Sequence, residues 1–175
     1  DRTTLPLTLA ETSVEIRDRA GALLRAFPVE DGIWWFEPGP VDPNFITMLI
    51  RYEDTRFLDH SGVDMIALGR AAWQAARYGR GVSGGSTLTM QVARLLEDGS
   101  TGRWHGKLRQ MRVAWALERR LSKAEILDLY LTHAPYGGNL EGIRAATLAW
   151  FGKEPGRLTP AQAALLIALP QSPER

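Results

Sequence analysis

From Asp42 onward the apolar positions recur at helical spacing. Ile46, Leu49 and Ile50 form a stripe behind Asp42-Pro43, an N-cap followed by proline at the first helical position, and Glu53 continues that stripe. Val63 to Tyr78 carries Met65, Ile66, Leu68, Ala72 and Trp73 and ends in Gly79-Arg80-Gly81, a glycine-rich stretch expected to be mobile. A further helix begins near Leu88. Trp104 to Leu121 reads as a long basic helix, Ser122-x-x-Glu125 is a capping box that opens the next one, and Thr159-Pro160-x-Gln162 opens an alanine-rich last helix ending at Pro170. Ahead of all these, Ser13 to Arg17 alternates like a strand, Asp18-Arg19-Ala20-Gly21 reads as a turn, and Ala22 to Phe27 returns as a second strand. Between hairpin and helices, glycine and proline dominate from Asp31 to Pro43, with Trp34, Trp35 and Phe36 predicting an irregular segment pinned by aromatic packing. The fold class that follows is mainly α with a short N-terminal β-hairpin.

Composition narrows the picture. At 175 residues and 45% hydrophobic content the chain has material for one domain with a real core. It has no cysteine, which rules out disulfides and thiolate metal sites. The net charge of +1 excludes little, but Arg94, Arg103, Lys107, Arg109, Arg112, Arg119, Arg120 and Lys123 cluster in one stretch, which a solvated helix face would also explain. No run of eighteen apolar residues is present, and no signal peptide. No nucleic-acid partner is expected.

Chemistry concentrates in two segments. In Glu53-Asp54-Thr55-Arg56-Phe57-Leu58-Asp59-His60-Ser61-Gly62 a carboxylate pair and a histidine follow an apolar helix and stop at a glycine. A carboxylate carried from a buried helix face into a cleft is partly desolvated and becomes a stronger base once ionised; a frayed helix end with solvated acids is the bland alternative. Asp54 lies about 100° around the helix from Glu53, so it braces the loop rather than sharing a proton. His60, just before a Ser-Gly turn, reads first as a hydrogen-bonding strut. The second segment, Ser83-Gly84-Gly85-Ser86-Thr87-Leu88-Thr89-Met90-Gln91, sets glycines and hydroxyls before a helix N-terminus, a loop able to cradle an anion with Ser86 and Thr87 donating. Alone, such a run is more often a turn with an N-cap. No His or carboxylate cluster has metal-ligand spacing, so no tight metal site is predicted.

Together these segments resemble family 51 glycosyltransferases, the peptidoglycan polymerases of class A penicillin-binding proteins and monofunctional transglycosylases. Glu53-Asp54-x-x-Phe57-x-x-His60-x-Gly62 is similar to the first family motif and Gly84-Gly85-Ser86-Thr87-Leu88-Thr89-x-Gln91 to the second. Lys123-Ala124-Glu125-Ile126-Leu127-Asp128-Leu129-Tyr130-Leu131 resembles the helix motif, and Gly142-Ile143, Ala145-Ala146 and Phe151-Gly152-Lys153 fit the segment after it. The likeness runs from about Val14 to the C-terminus. Asp31-Gly32-Ile33-Trp34, Met90, Gly106-Lys107-Leu108-Arg109-Gln110 and Ala134-Pro135-Tyr136-Gly137-Gly138 resemble the 1C branch. The usual third motif reads Arg-Lys-x-x-Glu, and here Gly106 and Gln110 stand where the arginine and glutamate would be, so any role of that second carboxylate is limited to hydrogen bonding.

The resemblance implies a lysozyme-like helical main lobe with a smaller, mobile, membrane-proximal lobe, to which Val63–Gly81 would belong. Core packing is the ordinary reading of that amphipathic helix, with Arg70, Arg77 and Arg80 opposite its apolar side. It implies one glycosyltransferase domain over residues 1–175, cut from a protein with an N-terminal anchor and a transpeptidase domain, at the periplasmic face of the bacterial inner membrane. The substrate would be lipid II and the growing glycan strand, with the membrane surface and cell-wall synthesis proteins as partners. Glu53 would be the general base; Asp54, Phe57, His60, Gly85, Ser86, Thr87, Gln91, Arg94, Lys107 and Gln110 would form the substrate site, with Arg94 and then Lys107 facing the diphosphate. Arg103 and Arg109 lack a clear counterpart. No cofactor is required by this reading, and a loosely held magnesium or manganese ion near Glu53 or the diphosphate is compatible with it. Two other classes stay open: a lysozyme-like glycoside hydrolase, which normally recruits a second carboxylate, and a non-catalytic domain that binds glycan or lipid II, for which Gln110 and Gly106 speak.

Overall fold

The computed structural model of the protein describes residues 12–29, 31–79, 85–97 and 104–171. Seven helices and four short strands are present among them: β1 (Val14–Arg17), β2 (Leu23–Phe27), β3 (Trp34–Trp35), α1 (Pro43–Glu53), α2 (Met65–Tyr78), α3 (Leu88–Leu95), α4 (Trp104–Glu118), α5 (Lys123–His133), β4 (Leu140–Glu141), α6 (Ile143–Phe151) and α7 (Pro160–Ala168), the last followed by a 3₁₀ turn, Leu169–Gln171. The mainly α class with an N-terminal hairpin is the observed one. The chain divides into two compact units, Ile50–Leu127 and a second built from residues 12–49 and 128–171.

In the second unit β1 and β2 pair antiparallel, Val14 opposite Phe27, with an irregularity between Ile16 and Arg17. The aromatic segment is less irregular than its composition suggests. Trp34 and Trp35 form a strand that pairs in parallel with Leu140 and Glu141, and the Trp35 indole donates to the Thr132 carbonyl at 2.9 Å. Local pattern could not reveal a two-residue strand whose partner lies more than a hundred residues away. Asp42 caps α1 as its sequence predicts, accepting from the Asn44 amide at 2.8 Å, but its other oxygen takes the Leu158 amide at 2.8 Å. These backbone donors, Leu158 first, hold the Asp42 carboxyl below the ordinary aspartate value. Of the α1 residues, Phe45 and Leu49 are the fully buried ones. The Thr159–Gln162 capping box is complete.

In the Ile50–Leu127 unit α3 packs on α4. On α4 the buried residues Gln110, Val113, Ala114 and Leu117 recur at 3.6-residue spacing; Val63, Met90 and Ala114 pack together with Met111 beside them. The long basic helix stops at Glu118 rather than Leu121. Ser122 and Glu125 form the expected reciprocal cap, Ser122 N donating to Glu125 Oε2 at 2.7 Å and Glu125 N to Ser122 Oγ at 3.3 Å.

Helix α2 departs from the sequence reading. It begins at Met65, capped by Asp64, which accepts from the Ile66 and Ala67 amides, and it buries none of its residues. Core packing is therefore not what holds its apolar face: Met65, Ile66 and Trp73 are all more than 60% exposed. Nor do its arginines oppose that face, because Ile66, Arg70, Trp73 and Arg77 fall within about 60° of one another on a regular helix. Its C-cap, Gly79, has φ of +66°; Arg80 and Gly81 lie outside the described residues. No described helix is long and apolar enough to cross a membrane.

Candidate active site

The site lies within the Ile50–Leu127 unit, where the end of α1, the loop after it, the start of α3 and the first half of α4 contribute. Glu53 is the last residue of α1, half-buried, and its Oε2 accepts a 2.8 Å hydrogen bond from Gln91 Nε2 on α3. The first and second motifs, 38 residues apart, therefore meet at the carboxylate.

Asp54 takes a different job from its neighbour. It is 7% exposed, accepts the Leu88 amide at 2.9 Å, and receives His60 Nε2 at 2.9 and 3.1 Å on its two oxygens. Leu88 is the first residue of α3, so Asp54 satisfies one of the free amides at that N-terminus. Asp54 and His60 are thus a brace, as the 100° offset anticipates. Phe57 is buried, its ring 6.4 Å from that of His60 in an edge-on arrangement.

Thr87 also belongs to the frame, which corrects its reading as a ligand donor. Its hydroxyl donates to the Gly62 carbonyl at 2.5 Å and accepts from the Met90 amide at 3.1 Å as the N-cap of α3. With its proton and one lone pair used and only 1% of the residue exposed, the hydroxyl is committed to the frame. Asp54 and Phe57 are likewise buried, the first held by hydrogen bonds and the second by packing. Gly85 lies against α2: a β-carbon there would lie 3.2 Å from Leu68 Cδ1. Ser83 and Gly84 lie outside the described residues.

Ser86, Gln91, Arg94 and Lys107 keep surface. Lys107, one of the cations of α4, donates through Nζ to Ser86 Oγ. Partial burial, and after it the positive charge of Arg94, hold the Lys107 ammonium below the ordinary lysine value. Arg94 is exposed on α3, one turn beyond Gln91. Two cations that raise one another's energy form a place where an anion is favoured. Gln110 lies on the buried stripe of α4, 5% exposed, where a neutral amide costs less to bury than a charged carboxylate. Arg109 instead pairs with Glu97 at 3.0 Å on the surface, and Arg103 lies outside the described residues. Among the described residues no group of three His, Cys, Asp or Glu could hold a metal ion.

A family profile described as transglycosylase matches residues 23–175. The chain belongs to the transglycosylase family. This transglycosylase is 47% identical over 173 residues to penicillin-binding protein 1C of Escherichia coli K12, covering 98% of the chain and 22% of that protein. It is 38% identical over 138 residues to penicillin-binding protein 1A of Pseudomonas aeruginosa, covering 77% of the chain and 16% of that relative. With penicillin-binding protein 1A of Aquifex aeolicus the identity is 32% over 161 residues, 92% of the chain and 22% of the relative. The transglycosylase thus spans about a fifth of the length of these relatives. Glycosyl transfer is the chemistry of the family, and the chain is an enzyme domain of that class.

Sequence reasoning missed one part of the transglycosylase site region, a partly buried Lys123–Glu118 ion pair behind the first motif at 2.6 Å. A signal existed: a lysine as the first residue of a helix opposes the helix dipole and calls for an acceptor elsewhere.

Proposed function

We propose that this domain polymerises lipid II, a disaccharide-pentapeptide carried on undecaprenyl diphosphate, into peptidoglycan glycan strands by inverting transfer. The observation that supports this most is the Glu53 carboxylate held by Gln91 at 2.8 Å in the same unit as the mutually repelling cations Lys107 and Arg94. A base and an anion site are the two things this reaction needs. Glu53 takes the proton from the acceptor 4-hydroxyl as that oxygen attacks the donor's anomeric carbon. The anomeric bond to the diphosphate breaks on the opposite face, and its electron pair leaves with the phosphate oxygen. Arg94 and Lys107 offset the charge that appears there, while Ser86 and Gln91 hydrogen-bond to sugar or phosphate. A diphosphate leaves without being protonated, so one carboxylate suffices and Gln110 is compatible with turnover. No resident cofactor enters this reading.

Lipid II is membrane-bound, and the exposed face of α2, where Ile66 and Trp73 alternate with Arg70 and Arg77, suits an interface with anionic headgroups. The proposal therefore puts the domain at the periplasmic face of the inner membrane, with the glycan strand and other cell-wall synthesis proteins as partners.

The test is polymerisation of labelled lipid II in detergent, with glycan chains resolved on a gel. Wild type forms long chains, and Glu53→Gln slows turnover by about 10²- to 10⁴-fold while remaining folded. A variant polymerising near the wild-type rate removes Glu53 from the role of base. The neutral, buried Gln110 favours one competing reading, a binding domain; no chains from either protein, with moenomycin still bound, would establish it. Cleavage of preformed glycan without polymerisation would point to the hydrolase.

A further inference from the structure

Lys123 is the first residue of α5 and Glu118 the last of α4, and neither is in contact with Glu53 among the bonds described above. The Lys123 ammonium uses its donors on three partners: the His60 carbonyl at 2.6 Å, Glu118 Oε1 at 2.6 Å, and the face of the Phe57 ring, 4.5 Å from its centroid. Glu118 Oε1 also accepts from Thr89 Oγ1 at 2.7 Å. The two side chains are 24% and 8% exposed, so the pair is largely withdrawn from water.

A pair in this position is a poor source of stability. Withdrawing two charges from solvent offsets much of their attraction, and apolar replacements of similar volume are often neutral or stabilising. What the pair does supply is direction. Its bonds close a circuit that begins and ends at the proposed base: Gln91 holds Glu53, Thr89 two residues earlier on α3 reaches Glu118, Glu118 holds Lys123, Lys123 holds the backbone of His60, and the His60 ring holds Asp54, the residue after Glu53. Between Asp54 and Gly62 the chain is a series of turns whose own bonds are short-range, Phe57 N to Asp54 O and Asp59 N to Arg56 O. Such a segment takes its placement from what grips it. Asp54 grips one end; toward the other, Lys123 holds the His60 carbonyl and Thr87 the Gly62 carbonyl.

We propose that Lys123 and Glu118 are positioning residues for Glu53: they fix the Asp54–Gly62 loop against α3, and with it the direction of the base carboxylate. The claim rests on the reading of Glu53 as base of a glycan polymerase. It assigns no contact with substrate to either residue.

The test compares wild type with the apolar triple variant Thr89→Val, Glu118→Leu, Lys123→Met in the whole 175-residue chain, the valine removing the hydroxyl that would otherwise lose its acceptor. Melting temperature, kcat and KM for lipid II, and hydrogen exchange at the Leu88 amide are measured. The expected result is a melting temperature near that of wild type, kcat lowered about 10- to 100-fold with KM within about threefold, and faster exchange at Leu88, whose acceptor is Asp54. Wild-type kcat in a stably folded variant overturns the proposal, as does a loss appearing only in KM. Should the triple variant not fold, Lys123→Arg carries the same readouts, since a planar fork cannot reproduce a three-way point contact. If wild type itself makes no glycan, the polymerase reading falls instead, and unchanged protection of Leu88 in the variant then refutes the positioning claim independently of activity.

Discussion

Thr87 and Gly62 form one contact whose two ends are each dictated by a single group. Gly62 has φ of +93°, and a β-carbon there would lie 2.8 Å from the Ala114 carbonyl oxygen, so no other residue lets the loop lie against α4. Its carbonyl receives the Thr87 hydroxyl, whose oxygen also caps α3. Thr87→Val keeps the shape and loses both bonds, leaving the Met90 amide and the Gly62 carbonyl unpaired. The expected cost is about 1–3 kcal/mol, measured by urea unfolding, whereas Thr87→Ser stays close to wild type. If instead Thr87→Val is stable and only substrate affinity falls, the hydroxyl serves ligand rather than frame. The glycine and hydroxyls of the second motif were visible in the sequence, but which hydroxyl faces inward was not, because that depends on a carbonyl 25 residues earlier.

Helices α1 and α2 mark how far periodicity carries. The start of α1 was legible because proline after an aspartate cap is a local signal, and so were the Ser122 and Thr159 boxes, which close within four residues. The face that α2 buries was not legible, since an amphipathic pattern states only that one side is apolar and leaves open whether protein covers it. Here Leu68 and Ala71 meet Gly85 while Ile66 and Trp73 stay exposed. With Arg70 and Arg77 on that same side, the domain is expected to float with anionic vesicles at low salt. Trp73→Ser should weaken this by about tenfold, the equivalent of roughly 1.4 kcal/mol, with little change in melting temperature because the residue is 63% exposed. No flotation by wild type would remove the membrane role of this face.

Across the whole molecule, stability should fall in two stages as pH drops. Burial holds His133 below the ordinary histidine value; its Nε2 has no partner, and its ring lies 4.9 Å from that of Trp35. The unfolded chain therefore binds the proton first, and the contribution is lost as pH falls below about 6.5. The second stage comes from carboxyls held down in the fold: Asp42 by the Leu158 and Asn44 amides, Asp64 by the Ala67 amide and then Ile66 and Arg56, and Glu154 by Arg144. Their contribution is complete above about pH 4 and disappears as pH falls through their lowered values. Urea unfolding at a series of pH values checks both limbs. His133→Phe, which keeps an aromatic ring against Trp35, should flatten the first limb and leave the second; a first limb that persists in this variant assigns it to another group.

Alone, the sequence determined what is written in short-range chemistry: helix starts and caps, the hairpin, and two motifs whose residue types suit a base and an anion site. Each of these depends on bonds that close within a few residues, so the pattern carries them. Only the tertiary structure decided that Gln91 holds Glu53, that Asp54 caps α3 through the Leu88 amide, that the Thr87 hydroxyl turns to the Gly62 carbonyl, that Trp34 and Trp35 pair with Leu140 and Glu141, and that Lys123 and Glu118 stand behind the first motif. Those bonds join residues far apart in the chain, and whether a polar group meets water, a ligand or another residue is settled only by what packs beside it.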